Sequence, residues 1–163
     1  MKSLLIALIS ISFCAPVLSQ STDEHLRLQV LNYNMTEQNF IFGEWKKENG
    51  SETHLNYLGE IVTSNDEHFK IMTSCWIWGV TRKVTNLILV YDKDNNLLGN
   101  YYLNTKCQLP NQIVNNKLIF KPSECAECDN AITKVDFYDG IPENFYLGCK
   151  RGQGNIYSFY LSY

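Results

Sequence analysis

The side chains with the clearest binding chemistry are aromatic residues that share one face of a short apolar segment. Trp76 and Trp78 alternate with Cys75 and Ile77, so a strand here would point both indoles to the same side. Such rings either fill a core or form a wall on which a flat ligand stacks. We predict a ligand pocket with an aromatic wall, formed by Trp76, Trp78, Tyr91, Tyr101 and Tyr102.

Acidic and histidine residues show no spacing that is typical of a metal site. The segment from Asp92 to Asn96 begins like a calcium loop, but Leu97 stands where that loop needs glycine. A hairpin turn explains the segment better. The histidines lie among polar residues, which predicts solvated side chains for His25, His54 and His68. No nucleophile motif of the G-x-S-x-G type is present. We therefore predict no metal site, no cofactor and no enzymatic activity.

The cysteines are interpreted as disulfide partners. The single C-x-x-C segment, residues 125–128, lacks the βαβ context of a redox motif and the second pair of a zinc site. Beyond the first twenty residues the candidates are Cys75, Cys107, Cys125, Cys128 and Cys149. Because their number is odd, one thiol stays free or links two chains in a dimer, and the pairing is left open.

The N-terminus carries the pattern of a secretory signal peptide. Lys2 precedes an apolar run at residues 4–13, and Val17 and Ser19 suit cleavage after residue 19. Residues 20–163 then form one domain, with 13 basic and 17 acidic side chains once Lys2 is removed. This charge and the absence of a basic run argue against nucleic-acid binding, and no segment is apolar enough to span a bilayer. In a eukaryotic source, the extracellular chain would carry glycosylation candidates at Asn34 and Asn49.

Beyond a short helix predicted at residues 21–31, the chain shows the pattern of strands and turns that is typical of an all-β protein. In the final run, Tyr157, Phe159, Leu161 and Tyr163 alternate on one face. Clusters of Asn, Asp, Gly and Pro separate the apolar segments. The predicted strands are residues 42–47, 55–63, 69–78, 86–91, 97–103, 117–120, 132–138, 144–149 and 156–162. Closure removes unpaired edges, so we predict an antiparallel up-and-down β-barrel of about eight or nine strands.

Three segments together resemble a divergent lipocalin. Residues 39–45 resemble the G-x-W signature of the first strand, and residues 135–139 with 144–149 resemble the family's Asp- and Tyr-bearing stretch. Residues 159–163 resemble its final strand. The resemblance implies a barrel that holds a small hydrophobic ligand. It also implies barrel-closing roles for Gly43, Trp45, Asp136 and Tyr163.

These observations lead to two functional hypotheses. The first is a secreted carrier of a small apolar ligand. Binding would be driven by the transfer of that ligand from water into the barrel cavity. The second is a filled barrel that acts through its outer surface as a secreted protein-interaction module. An exposed apolar patch together with a solid interior would favour the second hypothesis.

Overall fold

The structure is a computed structural model that describes residues 18–46, 50–121, 128, 132–149 and 153–162, with backbone alone for 18–22. One helix, α1 (Leu18–Tyr33), precedes the strands. The ten strands are β1 (Asn39–Gly43), β2 (Glu52–Val62), β3 (His68–Trp78), β4 (Lys83–Tyr91), β5 (Leu97–Leu103), β6 (Gln112–Val114), β7 (Lys117–Phe120), β8 (Thr133–Asp136), β9 (Asn144–Gly148) and β10 (Gly154–Leu161).

Seven of these strands form one antiparallel sheet in the order β1-β2-β3-β4-β5-β10-β9. Short connections join β2 to β3, β3 to β4 and β4 to β5. Between β4 and β5, the Asp92 carboxylate accepts hydrogen bonds from the backbone N–H groups of Asp94 and Asn96, each 2.8 Å long. This Asx-type turn explains why the acidic segment is a hairpin connection, as the sequence predicted.

The remaining strands form a second antiparallel sheet in the order β6-β7-β8. Asn115 and Asn116 connect β6 to β7 with φ values of 50° and 58°, the left-handed conformation that asparagine tolerates in a two-residue hairpin turn. The side-chain oxygen of Asn116 also accepts a hydrogen bond from the backbone N–H of Val62, which ties this turn to β2.

The main core lies between the two sheets. We call the side of the seven-stranded sheet that faces this core the inner face. Alternate residues of its strands bring aliphatic and aromatic side chains together with Leu118, Phe120 and Val135 of the smaller sheet. Because the two sheets pack face to face, each buries the apolar side chains of one face against the other.

The opposite, outer face of the large sheet is covered in part by α1. Val30 and Leu31 are buried there against a second apolar cluster, formed by Leu55, Tyr57, Met72, Leu89 and Tyr91. A bulge between Tyr57 and Gly59 shifts the register of β2. As a result Tyr57 faces the helix while its neighbour Leu58 faces the inner core.

The antiparallel all-β fold with a short N-terminal helix is confirmed, but the chain differs from the predicted closed barrel. Ten strands are described rather than eight or nine, and they lie in two sheets. Within the described residues, β10 pairs with β5 and β9, and no pairing joins β9 back to β1. The smaller sheet covers the inner face, so stacking buries the apolar surface without closure. No helix in the described part of the chain is long and apolar enough to cross a bilayer.

Candidate functional site

The part of the outer face that α1 leaves uncovered carries large apolar side chains in contact with solvent. These side chains belong to β5, β9 and β10, where alternation points every second residue away from the core. Tyr102 is 49% exposed, Tyr146 50%, Tyr160 60% and Ile156 70%. Exposed apolar clusters of this kind on a small protein are typical of interaction surfaces.

Polar side chains without charge lie between these rings. They surround an open concavity of about 530 Å³, whose lining includes Asn100, Tyr102, Asn104, Asn155, Ile156, Ser158 and Tyr160. Each asparagine amide offers both a donor and an acceptor, and the hydroxyls offer either. As far as the described residues show, the lining combines broad ring surfaces with adaptable hydrogen-bonding groups and contains no Lys, Arg, Asp or Glu.

Two glycines allow this surface to form. A Cβ at Gly154 would lie 2.4 Å from the Tyr146 ring and 2.3 Å from the carbonyl oxygen of Leu147. The ring of Tyr146 thus lies directly on the backbone of β10. A Cβ at Gly99 would lie 2.3 Å from the carbonyl oxygen of Tyr160, so glycine also permits the close approach of β10 to β5.

The inner core, in contrast, is filled. The ring of Tyr101 lies 4.9 Å from that of Phe145 and 5.1 Å from that of Phe159, measured between centroids. Phe145 also packs on Phe120 and Tyr157. A partly open cavity beside Phe120 measures about 10 Å³, roughly the room for one water molecule. Because the described rings pack against one another, a drug-sized ligand would have to displace them to enter this part of the core.

The five aromatic residues predicted as a pocket wall do not line one cavity. Trp76, Trp78 and Tyr102 share the outer face, because β3, β4 and β5 pair in register. Tyr91 shares that face but is buried in the cluster beneath α1. Tyr101 points the other way into the inner core, where its hydroxyl donates to the carbonyl oxygen of Pro142. Burial raises the pKa of both Tyr91 and Tyr101.

Three exposed residues of the candidate surface were missed by the sequence analysis. Tyr146, Ile156 and Tyr160 sit on the strands that were predicted at residues 144–149 and 156–162. The signal was present, because both strands carry apolar residues on both faces. A strand with one apolar face packs on a core, whereas a strand with two leaves its second face for a partner.

Cys75 is the free cysteine among the described residues, and it is buried on the inner face. It lies opposite His54 on β2 and Asn86 on β4, a set of residue types found in cysteine hydrolases. Burial, however, raises the pKa of the Cys75 thiol, and His54 is instead hydrogen-bonded to Glu52. A protonated, enclosed thiol is a poor nucleophile.

The other cysteines bear on the disulfide predictions. Cys128 is bonded to Cys149, so the C-x-x-C segment does not form a disulfide within itself. Cys107 is also disulfide-bonded, whereas Cys125 lies outside the described residues. A dimer linked through the odd cysteine loses its support, since the free thiol that the structure describes is buried in β3.

The histidines are spread over separate elements. His68 is hydrogen-bonded to Glu60 at 3.0 Å, far from the pair of His54 and Glu52 in sequence and on the sheet. Across the described ranges, no three His, Cys, Asp or Glu side chains come close enough to hold a metal ion. Of the glycosylation candidates, Asn34 is exposed just after α1, and Asn49 lies outside the described residues.

The residues with predicted barrel-closing roles occupy other positions. Gly43 ends β1 with a φ of 79°, and the indole N–H of Trp45 donates to the carbonyl oxygen of Gly79 at 2.8 Å. Asp136 forms an ion pair with Lys117 between β7 and β8, which holds the pKa of this carboxyl below its usual value. Tyr163 lies outside the described residues. None of the three described residues sits at the floor of a closed barrel, because the described sheets are open.

Comparison with known proteins gives no relative. No family model, no curated protein and no solved structure matches this chain, and nothing in these comparisons identifies a lipocalin.

Proposed function

We propose that the protein is a secreted interaction module that binds a partner protein on the uncovered outer face of its seven-stranded sheet. The observation that carries the proposal is the contrast between the two faces. The inner face is packed with buried side chains, whereas Tyr102, Tyr146, Ile156 and Tyr160 are about 49–70% exposed on the outer face, and three of these four line an open concavity. These four large side chains expose apolar surface to solvent, and a partner that buried this surface would gain binding free energy.

The composition of this surface favours a protein partner. Tyrosine supplies large, rigid contact area, and asparagine and serine supply adaptable hydrogen bonds, which is the combination that antibody paratopes use. The surface also lies on paired strands rather than on loops, so little conformational entropy is lost when it binds. Secretion is supported by the N-terminal apolar run and by the disulfide between Cys128 and Cys149.

The alternative is the predicted carrier, with a small hydrophobic ligand in a barrel cavity. The lipocalin resemblance implied it, but the described rings of the inner core pack against one another, and the cavity beside Phe120 has room for about one water molecule. The outer concavity is open to solvent and lined by amides and hydroxyls, which suits a desolvated apolar ligand poorly. The carrier function stays a prediction without support from the packing.

Site-specific photocrosslinking tests the proposal. A benzophenone amino acid replaces Tyr160 in one protein and Tyr138 in another, because both tyrosines are 60% exposed and Tyr138 follows β8, away from the outer face. Each protein is illuminated in the extracellular fluid of the source organism. We expect a discrete protein adduct from position 160 alone, suppressed by excess wild-type protein but not by the Tyr102→Ala variant. Equal adducts from both positions, or no protein adduct at position 160, would contradict the proposal.

A further inference from the structure

All three tryptophans of the chain gather at one end of the large sheet. Trp76 and Trp78 stack with ring centroids 5.2 Å apart and planes at 20°. Trp45 follows β1 and reaches the turn between β3 and β4, where its indole N–H donates to the carbonyl oxygen of Gly79. The same oxygen also accepts a hydrogen bond from the backbone N–H of Arg82, so two hydrogen bonds stabilise the conformation of this turn.

The turn itself, residues 79–82, presents an apolar apex flanked by cations. Val80 is 96% exposed, which is the highest exposure of any large hydrophobic side chain described. The Arg82 guanidinium carbon lies 5.3 Å from the centroid of the Trp45 ring, and the Lys83 ammonium lies 5.0 Å from that of Trp78. Both cations are exposed to solvent. The turn therefore combines an exposed aliphatic apex with two cations that lie over indole rings.

Three exposed cations lie at this end among the described residues, although the chain carries a net charge of −3. These cations are Lys46, Arg82 and Lys83, and Arg82 lies near enough to Glu52 to interact with its carboxylate. The Glu52 carboxylate is hydrogen-bonded to His54, which lowers its pKa and keeps it ionised. More distant acidic groups are screened beyond a Debye length of about 8 Å at physiological ionic strength.

We propose that the turn at residues 79–83 docks onto an anionic lipid bilayer. Indole rings concentrate at the membrane interface because they pair an apolar body with an N–H donor, and cations there are attracted to anionic headgroups. Val80 enters the acyl boundary while Arg82 and Lys83 remain at headgroup level. The helix and strands stay outside the hydrocarbon, so the contact is peripheral.

A bilayer fits this tip better than a protein partner does. A stable protein interface buries about 800 Å² on each side, which a five-residue turn does not supply. A fluid bilayer needs no complementary shape, and it accepts a single projecting side chain with basic residues around it. The inference is separate from the proposed outer-face function, because Val80, Arg82 and Lys83 belong to the β3–β4 connection and the start of β4, not to β5, β9 or β10.

Vesicle flotation tests the docking. Wild-type protein is mixed with vesicles of phosphatidylcholine alone or of phosphatidylcholine with phosphatidylserine, and the bound fraction and tryptophan emission are recorded. We expect binding that requires phosphatidylserine, weakens with added salt and shifts the emission to the blue. The double variant Arg82→Ser/Lys83→Ser should lower the partition coefficient roughly 30-fold, and Val80→Asp should lower it as well.

The matched control is Val114→Asp, at an exposed valine of β6 in the smaller sheet. It should bind like wild type, and soluble phosphoserine should not shift the emission. The inference is overturned if binding does not depend on phosphatidylserine, if Val114→Asp loses as much as Val80→Asp, or if wild type stays with the unbound fraction at all lipid concentrations. Circular dichroism of each variant shows that a loss of binding is not a loss of folding.

Discussion

Tyr101 and Tyr102 are adjacent, chemically identical and on opposite faces of β5, which makes them a direct probe of the filled core. Tyr101 is 0% exposed, packs on Phe145 and Phe159 and donates its hydroxyl to Pro142, whereas Tyr102 is half exposed. Truncating a buried aromatic side chain to alanine typically costs about 3–5 kcal/mol. Surface substitutions usually stay within about 0.5 kcal/mol.

We therefore expect Tyr101→Ala to lower the free energy of unfolding by about 3–5 kcal/mol, and Tyr102→Ala by less than about 1 kcal/mol. For a chain of this size, 1 kcal/mol corresponds to roughly 2–4 °C in Tm, so Tyr101→Ala should melt about 10 °C lower. Tyr101→Phe keeps the ring and loses one hydrogen bond, which predicts a cost near 1 kcal/mol.

Urea unfolding followed by tryptophan fluorescence, with the same slope for each protein, measures these differences. The reasoning is refuted if the two alanine variants have equal stability, because Tyr101 would then face space rather than packed rings. It is also refuted if Tyr102→Ala is the more damaging of the two, since that would reverse the assignment of the faces.

Three further predictions concern the cysteines and one carboxylate. The Cys75 thiol should resist thiol reagents until the chain unfolds, because burial encloses it and raises its pKa. His54→Ala should raise the pKa of Glu52 toward 4.5 in a carboxyl NMR titration, because the hydrogen bond to His54 holds it down. In wild type, the stability that this pair contributes is present above the unfolded-state pKa of Glu52 and is lost as the pH falls through the lowered folded-state pKa. Replacing Cys128 and Cys149 together by serine should cost about 3 kcal/mol in urea unfolding, since their bond closes a loop with a sequence separation of 21.

Each of these predictions has an outcome that contradicts it. Rapid labelling of Cys75 in the native protein would show that β3 is open to reagents. An unchanged titration of Glu52 in the His54 variant would remove the hydrogen bond as the cause of its lowered pKa. If wild type and the double serine variant had the same free energy of unfolding, the bond between Cys128 and Cys149 would contribute little to stability.

Much of the fold could be predicted from local pattern, because alternation and turn residues act within a few residues. The predicted strands at residues 97–103 and 117–120 have the observed bounds of β5 and β7. Most of the other predicted strands begin and end within three residues of the observed ones. The strand β6 was missed because its three residues, Gln112–Val114, are too few to show alternation. The helix extends beyond its predicted bounds in both directions.

The arrangement of the strands could not be predicted in the same way. A closed barrel and two stacked sheets use the same period of two, so the pattern does not separate them. The pairing of β10 with β5 joins residues about sixty positions apart, as in the contact of Phe159 with Tyr101. That long-range register exposes Tyr160 and packs Phe159 in the core. It therefore determines which residues form the candidate site.

The choice between interior and surface binding is tested most directly by native mass spectrometry of the protein purified from its natural source, beside its denatured mass. Our account predicts that the native chain carries no small molecule and that any noncovalent excess mass is a protein, lost in the Tyr102→Ala variant. An excess of a few hundred daltons that disappears on denaturation and survives in that variant would contradict the account. It would show that the protein carries a ligand inside and does not act through the outer face of its large sheet.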